Sequence, residues 1–152
     1  MSSISKSNSV IGTSATFATL TAAYTGNQTN AINVLESPQL SLDVFFIPGA
    51  TNQYIEVLIE ESSKDTLPSA DADWIIHPAQ IASVGETAVY DNPWIVPGDK
   101  VSVTTATERQ GISIDLATRC VRVSVREKTN AGGTPSTFGT CHLRFFKREV
   151  HA

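Results

Sequence analysis

The feature that most constrains the fold is a series of short runs in which apolar residues alternate with polar ones. The runs recur at a spacing of roughly 8–12 residues, with Pro, Gly, Asn and Asp between them. No helical pattern of apolar residues at i, i+3, i+4 and i+7 extends through the chain. The candidate strands are residues 15–24, 31–35, 39–47, 53–61, 86–91, 100–107, 112–116, 119–127 and 138–148. We therefore predict an all-β fold, an antiparallel β-sandwich that is jelly-roll-like, with about eight strands and little or no helix; the pattern leaves the strand order open.

The length of the chain predicts one domain with its own core. A chain of 152 residues buries about 68–70% of the surface that its unfolded form exposes, so neither disulfides nor metal are needed to hold it. We expect the Ser-rich residues 1–14 to be a flexible N-terminal arm, followed by a single β-sandwich domain over residues 15–152. The segment 62–80 is predicted to be a long loop in which Trp74 and Ile75 plug the end of the core.

The sequence lacks the usual marks of export and of membrane insertion. Its first residues contain no apolar run of about 7–15 residues, as a signal peptide has. No run approaches the roughly 18 apolar residues of a membrane span. We expect a chain made in a cytoplasm, with Cys120 and Cys141 as free thiols rather than a disulfide.

Charge is distributed unevenly along the chain. Residues 1–100 contain 3 basic and 11 acidic side chains, a net of −8, whereas residues 101–152 contain 8 basic and 4 acidic ones, a net of +4; the two sum to the net charge of −4. Acidic and basic surfaces on one small body favour contacts between copies, or a partner of either sign.

The stretch SLDVFFIPGATNQYIEVLIEES, residues 41–62, is predicted to be a hairpin around a Pro-Gly loop. One face of its strands carries Leu40, Leu42, Val44, Phe46, Ile55, Val57 and Ile59, and the register that brings these together pairs Val44 with Val57. The other face is also apolar near the loop, where it carries Phe45, Ile47, Tyr54 and Leu58. Such a patch is typical of an interface; the alternative is that the N-terminal arm or the 62–80 loop covers it.

Basic side chains alternate with apolar ones in the two C-terminal strands. Val121, Val123 and Val125 are predicted to point inward, and the outward set comprises Arg122, Arg126, Lys128, His142, Arg144, Phe146 and Arg148. If these strands pair, they form one basic face. We expect that face to meet the acidic face of a neighbouring copy; a solvated face is a second possibility, and binding of a nucleic-acid backbone with Phe146 stacking on a base is a third.

Residues that could perform chemistry do not form a recognisable motif, and we predict no enzymatic activity, cofactor or metal. Cys141 and His142 are adjacent on a strand and therefore point to opposite faces. Glu56 and Glu60 share a strand face without the aromatic-lined cleft of a glycosidase. Asp71 and Asp73 alone are weak evidence for a calcium loop. A small enzyme with an unrecognised site stays open as an alternative.

A carbohydrate-binding or receptor-binding β-sandwich module is the main alternative. Aromatic side chains stack on sugars, and the candidates for such a platform are Trp74, Trp94 and Tyr90. Tryptophan in a sandwich of this size is more often a core or loop anchor.

Three stretches in order carry a resemblance to a known class of protein: LDVFFIPGATNQYIEVLIEES, then DADW, then CVRVSVREKTNAGGTPSTFGTCHLRFF. Over about residues 15–148 the chain resembles small tailed-phage virion proteins of the β-sandwich type, which sit on capsids as auxiliary or decoration proteins, often as trimers. The similarity lies in the succession of strands and turns, so no functional residue is carried over.

The resemblance implies a non-enzymatic structural protein of a phage particle, made in the host cytoplasm and located in the virion. Its expected partners are copies of itself, with a trimer favoured, and the major capsid protein or another virion protein, whereas a membrane is not expected and nucleic acid is unlikely. The interface candidates are Phe45, Ile47, Tyr54, Leu58, Arg122, Arg126, Arg144, Phe146 and Arg148.

Overall fold

A computed structural model describes residues 5–13, 18–24, 31–33, 39–84, 88–91, 93–102, 106–116 and 118–151. The strands are β1 (Ser5–Thr13), β2 (Ala18–Thr19), β3 (Ala31–Asn33), β4 (Gln39–Ile47), β5 (Gln53–Ser62), β6 (Ile75–Ile76), β7 (Ile81–Val84), β8 (Ala88–Asp91), β9 (Trp94–Val96), β10 (Glu108–Asp115), β11 (Cys120–Thr129) and β12 (Thr140–His151). Helix in these ranges is limited to single 3₁₀ turns at Asp71–Asp73 and Pro78–Gln80. None of the helical segments described has the length and apolar character needed to cross a membrane.

Two antiparallel sheets form the body of the molecule. Sheet A has the order β1-β12-β4-β10, and β2 also pairs with β12; sheet B has the order β3-β11-β5-β6, and β9 also pairs with β5. Strands β7 and β8 form a separate two-stranded pair. Because β12 already pairs with β4 at Thr140 and Cys141, β2 lies on the same edge of β12 as β1. By the same reasoning β6 and β9 share one edge of β5.

The strand order is that of a jelly roll. When β1 with β2 and β6 with β9 are each taken as one interrupted strand, each sheet has four strand positions, and the chain visits the sheets in the order A, B, A, B, B, A, B, A. Most connections therefore cross between the layers, as in two interleaved Greek keys. The prediction of an all-β, jelly-roll-like sandwich with little helix is confirmed.

The core lies between the sheets and follows the alternation in the sequence. The side chains assigned to the inner faces of β4, β5 and β11 are all buried, and most of them are fully inaccessible to solvent. The buried cluster also includes Ile112 and Ile114 of β10 and Leu143 and Phe145 of β12. Period-two alternation places every second residue on the buried face, so these side chains could be identified before the strand order was known.

The predicted hairpin over residues 41–62 is wrong. Val44 of β4 lies beside Leu143 and Gln110 in sheet A, whereas Val57 of β5 lies beside Val125 and Trp94 in sheet B. The Pro48-Gly49 turn carries the chain from one sheet to the other. Two strands that send one apolar face into a shared core have the same pattern whether they are neighbours in a sheet or lie in opposite layers, so the sequence did not exclude this arrangement.

Two expectations about less regular segments also change. Residues 5–13 of the predicted N-terminal arm form β1, which pairs with β12 of the same chain, while residues 1–4 and 14 lie outside the described residues. In the 62–80 loop, Ile75 is 61% exposed and does not plug the core. Trp74 is buried, but its indole packs on Arg122, on the outer side of sheet B.

A buried side chain completes the hydrogen bonding of sheet B where the chain leaves the edge of β5. Between β6 and β9 the backbone passes through a 3₁₀ turn and the β7–β8 pair, so it cannot pair with the middle of β5. The Gln80 amide takes its place: Oε1 accepts from the Ile59 N–H at 2.7 Å, and Nε2 donates to the Val57 carbonyl at 2.8 Å. Gln80 is fully buried and acts as a substitute peptide group.

Replacing Gln80 with leucine is expected to lower the free energy of unfolding by about 2 kcal/mol, because a buried N–H and a buried C=O lose their partners. Urea denaturation followed by tryptophan fluorescence measures the change. Gln110→Leu, at a half-buried glutamine on β10, is the control and is expected to change stability by no more than about 0.5 kcal/mol. Equal effects of the two substitutions would contradict the bridging role of Gln80.

Candidate interaction surfaces on the two sheets

The outer face of sheet B carries a set of ion pairs between neighbouring strands. Glu56 of β5 accepts a hydrogen bond from Arg126 of β11 at 2.7 Å, and the Lys128 ammonium lies 3.6 Å from the same carboxylate. Four residues along the same ladder, Glu60 pairs with Arg122. The acidic β5 and the basic β11 therefore neutralise each other within one chain.

Arg122 is an internal residue of this face, with 4% of its surface exposed. Its Nε and one terminal nitrogen donate to the two carboxylate oxygens of Glu60 at 2.9 and 3.0 Å, and the other terminal nitrogen donates to Asp71 at 2.9 Å. The Trp74 ring centre lies 4.9 Å from the guanidinium carbon. Burial alone would lower the pKa of Arg122, but the hydrogen bonds to Glu60 and Asp71 outweigh it and raise that pKa. Arg122 thus fastens the 62–80 loop to the sheet.

Tyr54 and Leu58, expected in an exposed patch, are buried on the sheet B side, with 3% and 8% of their surfaces exposed. The Lys100 ammonium lies 5.2 Å from the Tyr54 ring centre. Burial and the neighbouring charge of Glu56 raise the pKa of the Tyr54 hydroxyl. The prediction that these two residues share a surface patch with Phe45 and Ile47 is wrong, because β4 lies in the opposite sheet.

The outer face of sheet A presents a half-buried aromatic side chain among basic ones. The register places His142 of β12 and Arg109 of β10 on either side of Phe45 in β4. The guanidinium carbons of Arg109 and Arg144 lie 4.9 and 5.0 Å from the Phe45 ring centre, and the His142 ring centre lies at 5.7 Å. We call the set Asp43, Phe45, Ile47, Arg109, His142 and Arg144 the Phe45 patch.

Asp43 organises the two arginines of the Phe45 patch. Its Oδ2 lies 3.3 Å from a terminal nitrogen of Arg109 and 3.4 Å from one of Arg144. With His142 neutral, two cations and one anion give the patch a charge of +1 on a chain of net charge −4. Arginine and aromatic side chains are enriched in protein interfaces, where a planar guanidinium both stacks and donates several hydrogen bonds.

The single basic face predicted for the C-terminal strands is wrong, because β11 and β12 lie in different sheets. Arg122 and Arg126 are on the sheet B side, and Arg144 joins the Phe45 patch on sheet A. The backbone register places Phe146 beside Ser41 and Arg148 beside Gln39; the side chains of Phe146 and Arg148 lie outside the described part of the chain.

Groups capable of chemistry are separated or already engaged. Across the described ranges no three or more His, Cys, Asp and Glu side chains are grouped as a metal site would require. Glu56 and Glu60 are bound by arginines, Asp71 is bound by Arg122, and the Asp73 carboxylate lies 3.8 Å from the Lys64 ammonium. These acidic residues therefore stabilise the fold as partners of cations.

Both cysteines are free and buried, as predicted, and they lie in different sheets. Burial raises the pKa of the Cys141 thiol to about 12, and the nearby charge of Glu127 adds to the effect. Burial likewise raises the pKa of Cys120, to which Asp65 contributes. Neither thiol is exposed as a nucleophile.

The residues proposed for sugar stacking do not form an exposed aromatic platform among the described side chains. Trp74 is buried with its ring against Arg122. Trp94 is partly buried and packs against the core, with its ring centre 6.4 Å from that of His77. The side chain of Tyr90 lies outside the described residues.

A buried carboxylate at the loop end of the sandwich was missed in the sequence. Glu127, which is fully buried, accepts hydrogen bonds from the backbone N–H of Gly49 at 3.1 Å and of Gly139 at 2.6 Å. Burial raises the pKa of Glu127, and the two N–H groups partly offset that rise. The alternation in β11 could have revealed it, because Glu127 is the next residue of the inward-facing series Val121, Val123 and Val125. The pattern therefore predicts a carboxylate on the buried face.

The two glycines of this arrangement are required by close backbone packing. A Cβ at Gly139 would overlap the carbonyl oxygen of Ile47, and a Cβ at Gly49 would overlap that of Thr137. The turn after β4 and the segment before β12 therefore lie in direct backbone contact, joined by one carboxylate. We call Gly49, Gly139 and Glu127 the glycine clasp.

Comparison with known proteins returns no match for the chain. Neither a protein-family model nor a curated protein nor a solved structure matches it.

Proposed function

We propose that the chain is a non-enzymatic structural protein of a phage particle, a capsid decoration protein that acts as a homo-oligomer and is located in the virion. The observation that carries the proposal is the Phe45 patch, an aromatic side chain framed by two arginines on the flat outer face of sheet A. Such a face suits binding to another protein surface.

The fold supports this proposal by analogy. Jelly rolls are the architecture of many viral capsid proteins, and of lectins and cupins as well. Because one fold serves many functions, the jelly roll alone does not identify the function, and a specific site is needed as well. The Phe45 patch favours a protein partner over a sugar, because guanidinium groups lie over the aromatic ring, where a sugar would have to stack.

The expected contact between the basic face of one copy and the acidic face of its neighbour loses its support. Acidic and basic side chains of sheet B satisfy one another in the same chain, so they no longer argue for pairing between oppositely charged faces of neighbouring copies. Burial of the surface that Phe45 and Ile47 still expose would supply the affinity; because both are already half-buried, each would contribute less than the roughly 1.5–3 kcal/mol of a side chain taken from full exposure. Arg109 and Arg144 would supply directional hydrogen bonds at the rim.

The test is binding of the purified chain to particles assembled without it, measured by sedimentation through a density cushion. We expect the wild type to sediment with the particles and Phe45→Ser to stay in the supernatant, because the substitution removes the aromatic anchor. Leu67→Ser, at an exposed leucine of the 62–80 loop, is the matched control and should bind normally. Binding of Phe45→Ser equal to that of wild type would remove the Phe45 patch as the contact surface.

A further inference from the structure

Strand β10 forms one edge of sheet A. Among the described residues, no strand pairs with the side of β10 that faces away from β4, although the Asp115 carbonyl oxygen at the end of the strand already lies 2.8 Å from His77 Nε2. Gly111 and Ser113 in the middle of this strand are exposed. An edge with free N–H and C=O groups is a template for another strand, so natural proteins either block it or use it.

The side chains of β10 specify how a second copy fits. Consider two β10 strands, one from each copy, that pair antiparallel about a two-fold axis. The core-facing side chains of both copies then lie on the same side of the joined sheet only if each core-facing residue is opposite a core-facing residue of the other copy. When Ile112 of one copy is opposite Ile112 of the other, Arg109 of each copy is opposite Asp115 of the other, because residues 109 and 115 are both three positions from 112. With Gly111 at the centre, Arg109 would oppose Ser113, and with Gln110 at the centre, Glu108 would oppose the buried Ile112.

The Ile112-centred register is therefore the one that matches charge as well as face. Arg109 has 60% of its side chain exposed and lies 3.3 Å from Asp43. Asp115 is exposed and accepts a hydrogen bond from the Gln39 amide at 2.8 Å, so both side chains would add a contact across the edge to the one they already make. On the core-facing side the same register places Ile112 against Ile112 and Gln110 against Ile114. Opposite charges directly across a ladder stabilise it, and like charges oppose it.

We propose that two copies of this chain pair through the free edges of β10 in this register, which joins their A sheets into one continuous sheet. The contact is isologous and closes with two chains. Arg109 also belongs to the Phe45 patch, so pairing would join the patches of two copies into one larger surface. The proposal rests on the homo-oligomer of the proposed function and names its surface; it gives a stoichiometry of two or a multiple of two, not the trimer that the resemblance implied.

The test is the absolute mass in solution, by light scattering behind a sizing column, over a dilution series. We expect a wild-type dimer, and dissociation constants at least about tenfold higher for Arg109→Glu and for Asp115→Arg, since each places like charges opposite one another. The double variant with both substitutions restores the opposite pairs and should recover the dimer. Arg119→Glu, which likewise reverses an exposed arginine paired with an aspartate but lies in neither β10 nor the Phe45 patch, is the control and should dimerise as wild type does.

Failure of the double variant to recover, or equal weakening by Arg119→Glu, would overturn the β10 pairing. A wild-type trimer would overturn it as well, while leaving a homo-oligomeric virion protein in place. A wild-type monomer at every concentration would also overturn it, and the proposed function would then depend on particle binding alone. Circular dichroism of each variant confirms that the sandwich is folded before its mass is interpreted.

Discussion

Replacing Glu127 with alanine is expected to lower the free energy of unfolding by about 3–5 kcal/mol. Two buried backbone N–H groups lose their acceptor, at about 1–3 kcal/mol each, and the missing side chain leaves a cavity. Urea denaturation at neutral pH measures the change. Glu108→Ala, at a half-buried glutamate of β10, is the control, with an expected change of no more than about 0.5 kcal/mol. If Glu127→Ala cost less than about 1 kcal/mol, the carboxylate would not be what holds the two turns together.

The pH dependence of Glu127→Gln gives an independent check of the same group. A pKa raised by burial means that folding favours the protonated acid, so its contribution to stability is full below the unfolded-state pKa and is lost as the pH rises through the folded-state pKa. Glutamine resembles the protonated acid and does not ionise. We therefore expect the stability of Glu127→Gln to improve relative to wild type as the pH rises above about 4.3; a constant difference across this range would show that the fold does not disfavour the ionised form.

The substitution Gly139→Ala tests the close backbone contact within the glycine clasp. The new Cβ would collide with the Ile47 carbonyl oxygen, and the backbone has to move away from it. We expect a loss of at least about 2 kcal/mol. Gly98→Ala is the matched control, because a Cβ at Gly98 meets nothing within 4 Å. A Gly139→Ala protein as stable as Gly98→Ala would mean that the two segments are not in close contact.

Replacing Arg122 with alanine is the second substitution with a large expected effect, again about 3–5 kcal/mol of unfolding free energy. Removing one member of a buried ion pair leaves its partner charge uncompensated. Here Glu60 loses two hydrogen bonds, and the 62–80 loop loses its contacts through Asp71 and Trp74. Thermal and urea unfolding measure the loss, and limited proteolysis within residues 62–80 reports release of the loop.

The control lies on the same strand and the same face. Arg126 pairs with Glu56 in a similar cross-strand geometry, but 27% of its side chain is exposed against 5% for Arg122. The Lys128 ammonium also lies 3.6 Å from the Glu56 carboxylate and still neutralises it when Arg126 is removed, so Arg126→Ala is expected to cost less, about 1–2 kcal/mol. Equal losses for the two arginines would show that burial does not distinguish them. The same contrast explains why Arg122 is a poor position for testing assembly. Replacing Arg122 with an acidic residue would destabilise the fold, so a loss of assembly could not be assigned to an interface.

The inner faces of the strands were predictable because burial of one face imposes a period of two. Leu42, Val44 and Phe46 in β4, and Val121 and Val123 in β11, are inside as the alternation required. Strand partners were not predictable in the same way. A Pro-Gly turn followed by an apolar strand is compatible both with a hairpin and with a crossing between layers, and only the complete set of strands decides between them.

The candidate site was predictable only in part, for the same reason. Phe45 and Arg144 were named from their outward positions, and the structure brings them within 5.0 Å of each other. Arg109 and Asp43 were not recognised as their neighbours, because that contact depends on β10 and β12 lying on either side of β4. Arg122 was assigned to a free surface because alternation shows which way a side chain points but not whether a distant loop covers it.

The uneven charge along the sequence has an explanation within the fold. The acidic residues of β4 and β5 precede the basic residues of β10, β11 and β12 in the chain, and the jelly roll places the two groups side by side: Asp43 with Arg109 and Arg144, and Glu56 with Arg126. A charge asymmetry in sequence thus becomes neutralisation between neighbouring strands. The Phe45 patch, to which the proposed function assigns the partner, keeps two arginines for one aspartate.

We propose that this chain is a structural component of a phage particle. Quantitative mass spectrometry of purified particles produced by the genome that encodes it tests the claim most directly. We expect the chain in every intact particle, at a copy number that is a fixed ratio to the major capsid protein and that survives washing at high salt. Intact particles that contain none of it, while the chain is abundant in the lysate that produced them, would contradict the claim.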